Sequence, residues 1–430
     1  MNNIRYTILL ALGAAMVLLT LSSVQAARTS LEGDFRLRAY NDRFTNDMDG
    51  RGDENYMRYL ARIRSKVQVS PQTTFYAEFT SWIDNNPLSP TRNIAGTGKM
   101  QYGISQIFAE LKQPNVLFVD LLRLRVGRQQ FPIGEGLSLG ESYYYFDRFD
   151  GARLDLYISG YALSLFGAIV DQNLSTSGLY PDPGSEQLYV GRLSHGLFGH
   201  DVMGYAIYHK LKGQFNDSYV VGGGVNGERE RGRLTYFVEG AYQRFNVLDG
   251  LPKKAGIGYM AGIGYRWNMG PFRSVKVETR YAAYQGDDST TADIEMFSPL
   301  YPSFFWGNRV GYVSGSIGGD YPFNGRNPEG TRLWWTRAYV IPYRLPKLRI
   351  QAEYLYITEW VDNDGYDSMD SEVALKFYYE ISTGTRLELR FAHDFPNEDY
   401  DRDMNGNGAI SWAEDRVSVT RFMVGYTVNF

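Results

Sequence analysis

Apolar and polar residues alternate with a period of two almost from end to end of this 430-residue chain, in segments that are unusually long. Leu31, Gly33, Phe35, Leu37 and Ala39 alternate with Glu32, Asp34, Arg36, Arg38 and Tyr40. Met57, Tyr59, Ala61, Ile63 and Val67 alternate with Arg58, Leu60, Arg62, Arg64 and Lys66, and near the end Leu387, Leu389 and Phe391 alternate with Arg386, Glu388 and Arg390. A period of two sends successive side chains to opposite faces of a strand. Strands in soluble sandwiches run to about five or six residues. Most of these run to about nine to twelve, the length a tilted strand needs to cross a bilayer.

The pattern predicts strands near 30–40, 56–69, 74–84, 102–112, 118–127, 151–158, 161–171, 186–194 and 201–209 in the first half. The second half follows with 218–227, 233–244, 256–267, 274–284, 332–343, 347–359, 371–381, 385–395 and 416–430. The total is even, as a single-chain bacterial barrel requires. The connections agree with it. Pro71–Thr73, Ser159–Gly160, Glu228–Gly232, Arg344–Pro346 and Ser382–Gly384 are short and fall on one side. Asn41–Asn55, Asn85–Gln101, Arg128–Asp150, Gln172–Ser185, Gln285–Thr331 and Pro396–Asp415 are long and fall on the other. Short periplasmic turns and long extracellular loops are the outer-membrane pattern. The expected fold is therefore an all-β transmembrane antiparallel barrel of about eighteen strands, occupying residues 27–430 as a single domain in the bacterial outer membrane.

Composition supports this reading: 34 Tyr, 24 Phe and 46 Gly suit strands joined by tight turns. Residues 1–26 read as a signal peptide. Arg5 supplies the positive start, Ile8 to Leu21 is an apolar run too short for a spanning helix, and Val24-Gln25-Ala26 offers a cleavage site. The absence of cysteine excludes a disulfide framework. The final strand alternates Phe422, Val424, Tyr426, Val428 and Phe430, like the closing signal of barrel-assembly substrates.

If the apolar set meets lipid, parity assigns the rest to the lumen. The inward bases are Arg36, Arg38, Arg58, Arg62, Arg64 and Lys66, then Lys112, Arg123, Arg125 and Arg153, then Lys276, Arg280, Lys347, Arg349, Lys376, Arg386, Arg390 and Arg421. The inward acids are Glu32, Asp34, Glu78, Glu110, Asp155, Glu239, Glu278, Glu353, Glu372, Glu380 and Glu388. Bases outnumber acids in the lumen of a chain whose net charge is -4, so the acidic surplus belongs in the loops. Such segregation makes a positive low-dielectric channel that concentrates anions. Arginine suits carboxylates in particular, because its fork binds them in a bidentate way. Pairing of Arg with Glu across strands, as plain filling of the barrel, is the alternative.

Three segments resemble the alginate-export family of outer-membrane porins. They are Val126-Gly127-Arg128-Gln129-Gln130-Phe131 with Gly134 and Leu137-Ser138-Leu139-Gly140; Arg148-Phe149-Asp150-Gly151-Ala152-Arg153; and Phe297-Ser298-Pro299-Leu300-Tyr301-Pro302. The resemblance implies an electropositive eighteen-stranded pore that exports an acidic, uronate-type polysaccharide, with a periplasmic secretion partner. It also implies that Arg128, Arg148 and Arg153 lie near the pore or its mouth. A general or substrate-selective porin for small anions is the competing reading, since a fold does not fix its cargo.

Residues 403–414 match the twelve-position EF-hand loop. Asp403, Asn405 and Asn407 stand at positions 1, 3 and 5, Gly408 at 6, Ala409 at 7, Ser411 at 9 and Glu414 at 12. Oxygen ligands at this spacing wrap Ca²⁺, here in the last extracellular loop, as a structural ion. An Asn/Asp/Gly-rich turn uses the same residue types. His393 and Ser418 fall on the outward face of neighbouring strands, as in a barrel lipid hydrolase, but no third orienting group accompanies them. No phosphate loop, zinc spacing or nucleic-acid patch is present, and the expectation is a channel rather than an enzyme.

Overall fold

The computed structural model describes residues 28–45, 54–84, 101–139, 149–170, 187–210, 217–229, 233–246, 254–286, 294–295, 297, 331–359, 370–396 and 418–430. They form one sheet of nineteen strands. These are β1 (Arg28–Thr45), β2 (Glu54–Gln68), β3 (Thr73–Asp84), β4 (Gln101–Val116), β5 (Val119–Gln129), β6 (Phe149–Ile158), β7 (Tyr161–Val170), β8 (Gln187–Leu197), β9 (His200–Lys210) and β10 (Ser218–Arg229). There follow β11 (Leu234–Phe245), β12 (Lys254–Met269), β13 (Phe272–Tyr284), β14 (Ile294–Glu295), β15 (Thr331–Pro342), β16 (Leu348–Glu359), β17 (Asp370–Ser382), β18 (Thr385–Pro396) and β19 (Ser418–Asn429). The two-residue β14 lies parallel to the start of β12. The other eighteen strands pair antiparallel with their neighbours, and β1 pairs with β19. The result is a closed eighteen-stranded barrel, and each of the eighteen expected strands is present.

Closure is made at the last residue. Gly33 N–H donates to the Phe430 carbonyl at 2.8 Å, and Phe430 N–H donates back to the Gly33 carbonyl at 2.9 Å. A side chain at Gly33 would meet the Phe430 ring at 2.4 Å, so the seam needs glycine there. Pairing the two ends leaves no open sheet edge in the lipid, where unpaired backbone groups cost several kcal/mol each.

Alternation gives the wall its outer face. Leu165, Leu193, Val221, Val238, Ile263 and Phe391 are all exposed outward. Stacked rings mark both rims, with Tyr189, Tyr208 and Tyr219 at the long-connection end and Tyr161 on His195 at the short-turn end. An apolar belt between aromatic rims is the exterior of an outer-membrane barrel, and that is where this protein resides.

The inner face divides into two. On β16–β19 and β1–β6 it is mostly charged. On β7–β13 and β15 much of it is apolar as well: Phe166, Val190, Ile207, Met260 and Trp335 point inward and are buried. What buries them is the chain after β5. The connection expected to lie outside instead turns into the lumen, and Phe131, Ile133, Leu137 and Leu139 pack on this apolar wall at no more than 1% exposure. The lumen is thus occupied on one side by an inward-folded segment, 130–139. Phe297, from the long 285–331 connection, joins the same cluster and packs over Gly258, where a side chain would meet its ring at 2.7 Å.

Val238 stands on the lipid face of β11 beside inward-facing Phe237 and Glu239. Val238→Arg should destabilise the barrel by about 2–4 kcal/mol, the range for a cation near the bilayer midplane. Urea unfolding in lipid vesicles measures it. An unchanged midpoint would show that this face does not meet hydrocarbon.

Candidate functional site: a charged lumen wall

The lumen charges form carboxylate hubs, each ringed by bases from several strands. On β1, Asp34 is met by Arg62 at 2.9 Å, Arg64 at 3.0 Å and Arg36 at 3.6 Å. Arg62 grips it with a fork, its second bond being 3.1 Å. On β4, Glu110 is met by Arg125 at 2.5 Å, Lys112 at 2.9 Å and Arg123 at 3.8 Å. On β13, Glu278 is met by Arg280 and Arg337, both at 2.6 Å, and by Lys276 at 2.9 Å. Arg64 also reaches Glu78 at 2.8 Å, and Arg280 reaches Glu135 of the inward segment at 3.3 Å.

Register explains why these groups meet. Asp34 lies directly opposite Arg62 across β1–β2, Arg64 opposite Glu78 across β2–β3, and Glu110 opposite Arg125 across β4–β5. Opposed residues on one face of an antiparallel pair stand about 4.5–5.5 Å apart at Cβ, within reach of a salt bridge. A buried carboxylate in this setting needs partners, because removing it from water without them costs several kcal/mol. Each hub carboxylate has three.

Stacking holds many of the guanidiniums flat. Arg125 lies over Phe108 at 5.1 Å, Arg123 over Tyr157 at 5.6 Å, and Arg153 over Phe131 at 4.7 Å while it donates to Asp155. Arg349 and Arg386 both lie against Tyr378, at 4.3 and 5.0 Å. The Nε atoms of Arg123, Arg349 and Arg386 have no hydrogen-bond partner among the described residues. A guanidinium stacked on a ring by one face keeps a planar edge of the kind that binds carboxylates. Nearer full pairing, Lys376 bonds Glu353, and Glu388 takes both Arg390 and Arg38.

Most of the expected lumen residues therefore line the wall as read: Arg36, Arg38, Arg62, Arg64, Arg123, Arg125, Arg153, Arg349, Arg386 and Arg390. Lys66 lies on β2 and is exposed. Arg58 takes its place in β2 opposite Arg38, and its side chain lies outside the described residues. Arg128 is a correction. It falls on the outward parity of β5 and forks onto exposed Asp150 at 2.7 Å, so strand alternation turns it away from the lumen wall. Arg148 and the calcium-loop residues Asp403, Asn405, Asn407, Ala409, Ser411 and Glu414 lie outside the described residues, as do residues 1–26. His393 bonds Thr420 across the strand pair at 2.8 Å.

The sequence reading missed Arg337 and Glu135. Arg337 shares its face with Leu333 and Trp335, so a rule that sends apolar residues to lipid reverses it. Its position opposite Glu278 across β13–β15 is the signal that finds it.

No family model and no curated protein matches this chain. Solved structures do. Pseudomonas aeruginosa OccK9 (OpdG) matches at 14% identity and a TM-score of 0.58, covering 94% of this chain and 98% of that one. Acinetobacter baumannii OccAB2 matches at 12% and 0.57 with the same coverage. P. aeruginosa OccK2 (OpdF), solved in complex with glucuronate, matches at 12% and 0.54, again over 94% and 98%. These likenesses show a shared barrel fold.

Glu110→Gln removes the negative centre of one hub and leaves Lys112, Arg123 and Arg125 in place. Stability should fall by about 1–3 kcal/mol, the worth of charge-assisted hydrogen bonds to a buried carboxylate whose bases are partly exposed. The zero-current potential in a salt gradient should shift toward anions. An unchanged potential would show that the hub charge does not reach the permeation path.

Proposed function

We propose that this barrel is an anion-selective channel whose cargo is a small carboxylate, of uronate or similar size. One observation carries the reading: each of the three hub carboxylates in the lumen wall faces three bases. The hubs use nine cations, which among the described residues meet Asp34, Glu78, Glu110, Glu135 and Glu278. The acids position the guanidiniums, and three bases around one carboxylate favour a passing anion over a passing cation. Sites that are multiple and individually incomplete let cargo bind and leave.

The inward segment favours a small cargo, since it occupies one side of the lumen. The glucuronate bound in the crystal of OccK2 (OpdF) is a single-ring carboxylate of this class. Export of an acidic polysaccharide, with a periplasmic secretion partner, is the second reading. It rests on the family resemblance and on the run of bases from Arg36 to Lys66, along which a polymer could step.

The deciding experiment is single-channel recording in a planar bilayer under a salt gradient, with glucuronate and then oligouronates added. The channel should be anion-selective, and glucuronate should reduce chloride current reversibly. Arg123→Ala and Arg386→Ala should weaken that block by about tenfold each, or ~1.4 kcal/mol. They are better probes than Arg62→Ala, which would strip Asp34 of its fork. Block by oligouronates but not glucuronate would favour the polymer. Cation selectivity would overturn both.

We also propose that residues 403–414 bind Ca²⁺, on the strength of ligand spacing alone. Trp412 lies within this loop, so bound Tb³⁺ should show tryptophan-sensitised emission that Ca²⁺ displaces. Asp403→Ala with Glu414→Gln should abolish it. Emission that persists in this variant would sink the assignment.

A further inference from the structure

The inward segment is anchored in two ways that differ in kind. Its flanks are held by the buried side chains Phe131, Ile133, Leu137 and Leu139. Its bend, Gly134 to Gly136, has no such anchor, and there Glu135 reaches Arg280 of β13. Within the segment Gly136 N–H donates to the Ile133 carbonyl at 3.0 Å, and what ties the bend to the wall is Glu239 of β11, 1% exposed. One carboxylate oxygen accepts the backbone N–H of Glu135 at 2.8 Å, and the other accepts the Tyr205 hydroxyl at 3.1 Å. Tyr205 also bonds Ser138 of the segment at 3.2 Å, which ties both sides of the bend to one point on the wall.

The backbone is built for this contact. Gly134 has a φ of +55°, a left-handed conformation, and a side chain there would meet the Glu239 carboxylate at 2.3 Å and the Met203 methyl at 2.2 Å. Glu239 belongs to none of the hubs. It is also the one acid of the inward set bonded to the backbone of the inward segment among the described residues.

We infer that Glu239 is a positioning residue that sets the width of the passage by latching the bend to the wall. This rests on the channel reading above. The flanking apolar anchors keep the segment docked when the latch is lost, so the consequence is a loosened bend rather than an emptied lumen.

Substitutions separate geometry from charge. Glu239→Ala and Glu239→Gln both remove one negative charge from the lumen. Only Gln can keep the latch: its amide oxygen accepts from Glu135, and its NH₂ donates to Tyr205, whose hydroxyl then turns to Ser138. In single-channel recordings of the full barrel, Glu239→Ala should raise unitary conductance about 1.5- to 2-fold and add rapid sublevel noise. Glu239→Gln should match the parent. Gly134→Ala, which pushes the bend off an intact Glu239, should reproduce the Ala phenotype and serves if Glu239→Ala does not fold. Equal behaviour of Ala and Gln would assign the effect to charge and overturn the latch. So would parental conductance in both Glu239→Ala and Gly134→Ala. A parent barrel that does not conduct would overturn the channel reading itself, an outcome distinct from either.

Discussion

A strand that crosses a bilayer must satisfy its backbone N–H and C=O groups on both sides, and nothing in hydrocarbon can do so except another strand. The pairing of β1 with β19 follows from this requirement, and the rest of the molecule follows from that pairing. Closure fixes the strand count as a ring, and the ring gives every residue an unambiguous facing. The seam at Gly33 and Phe430 uses the last residue of the chain as a structural group.

Closure also creates an interior that is neither a soluble core nor open water, and the charges show how the chain manages it. Asp34, Glu110 and Glu278 are buried and would be costly alone. Ringed by bases from adjacent strands, they hold long flexible cations in defined places, and aromatic rings beneath the guanidiniums restrict them further. Within each hub three bases stand around one carboxylate, so pairing across strands does not exclude the anion path proposed above.

The inward segment changes the character of half the wall. Where it packs, β7–β13 and β15 are apolar on both faces, one toward lipid and one toward Phe131, Ile133, Leu137 and Leu139. The bend of this segment is tied to the wall by hydrogen bonds from Glu239 and Tyr205, groups of β11 and β9 that lie outside the charged hubs.

The architecture was legible in the sequence because it rests on local rules. Period-two alternation located all eighteen strands, connection lengths set their parity, and facing followed for most lumen bases from Arg36 to Arg390. Direct cross-strand pairs such as Asp34 with Arg62 are a short step further, since register is set by alternation and turn length. Three things depended on contacts distant in sequence and were decided only by the tertiary structure. Residues 130–139 turn inward because Phe131, Ile133, Leu137 and Leu139, in a stretch with no lipid to face, find an apolar wall contributed by strands as far along the chain as Ile357. Arg337 faces the lumen beside Trp335 because that wall reverses the rule that apolar side chains point to lipid. Glu239 holds a backbone amide of residue 135, a pairing across 104 positions to which neither periodicity nor spacing points. Alternation is a property of neighbouring residues and can be read from one chain, whereas what fills the space a closed sheet encloses is determined only once the sheet has closed.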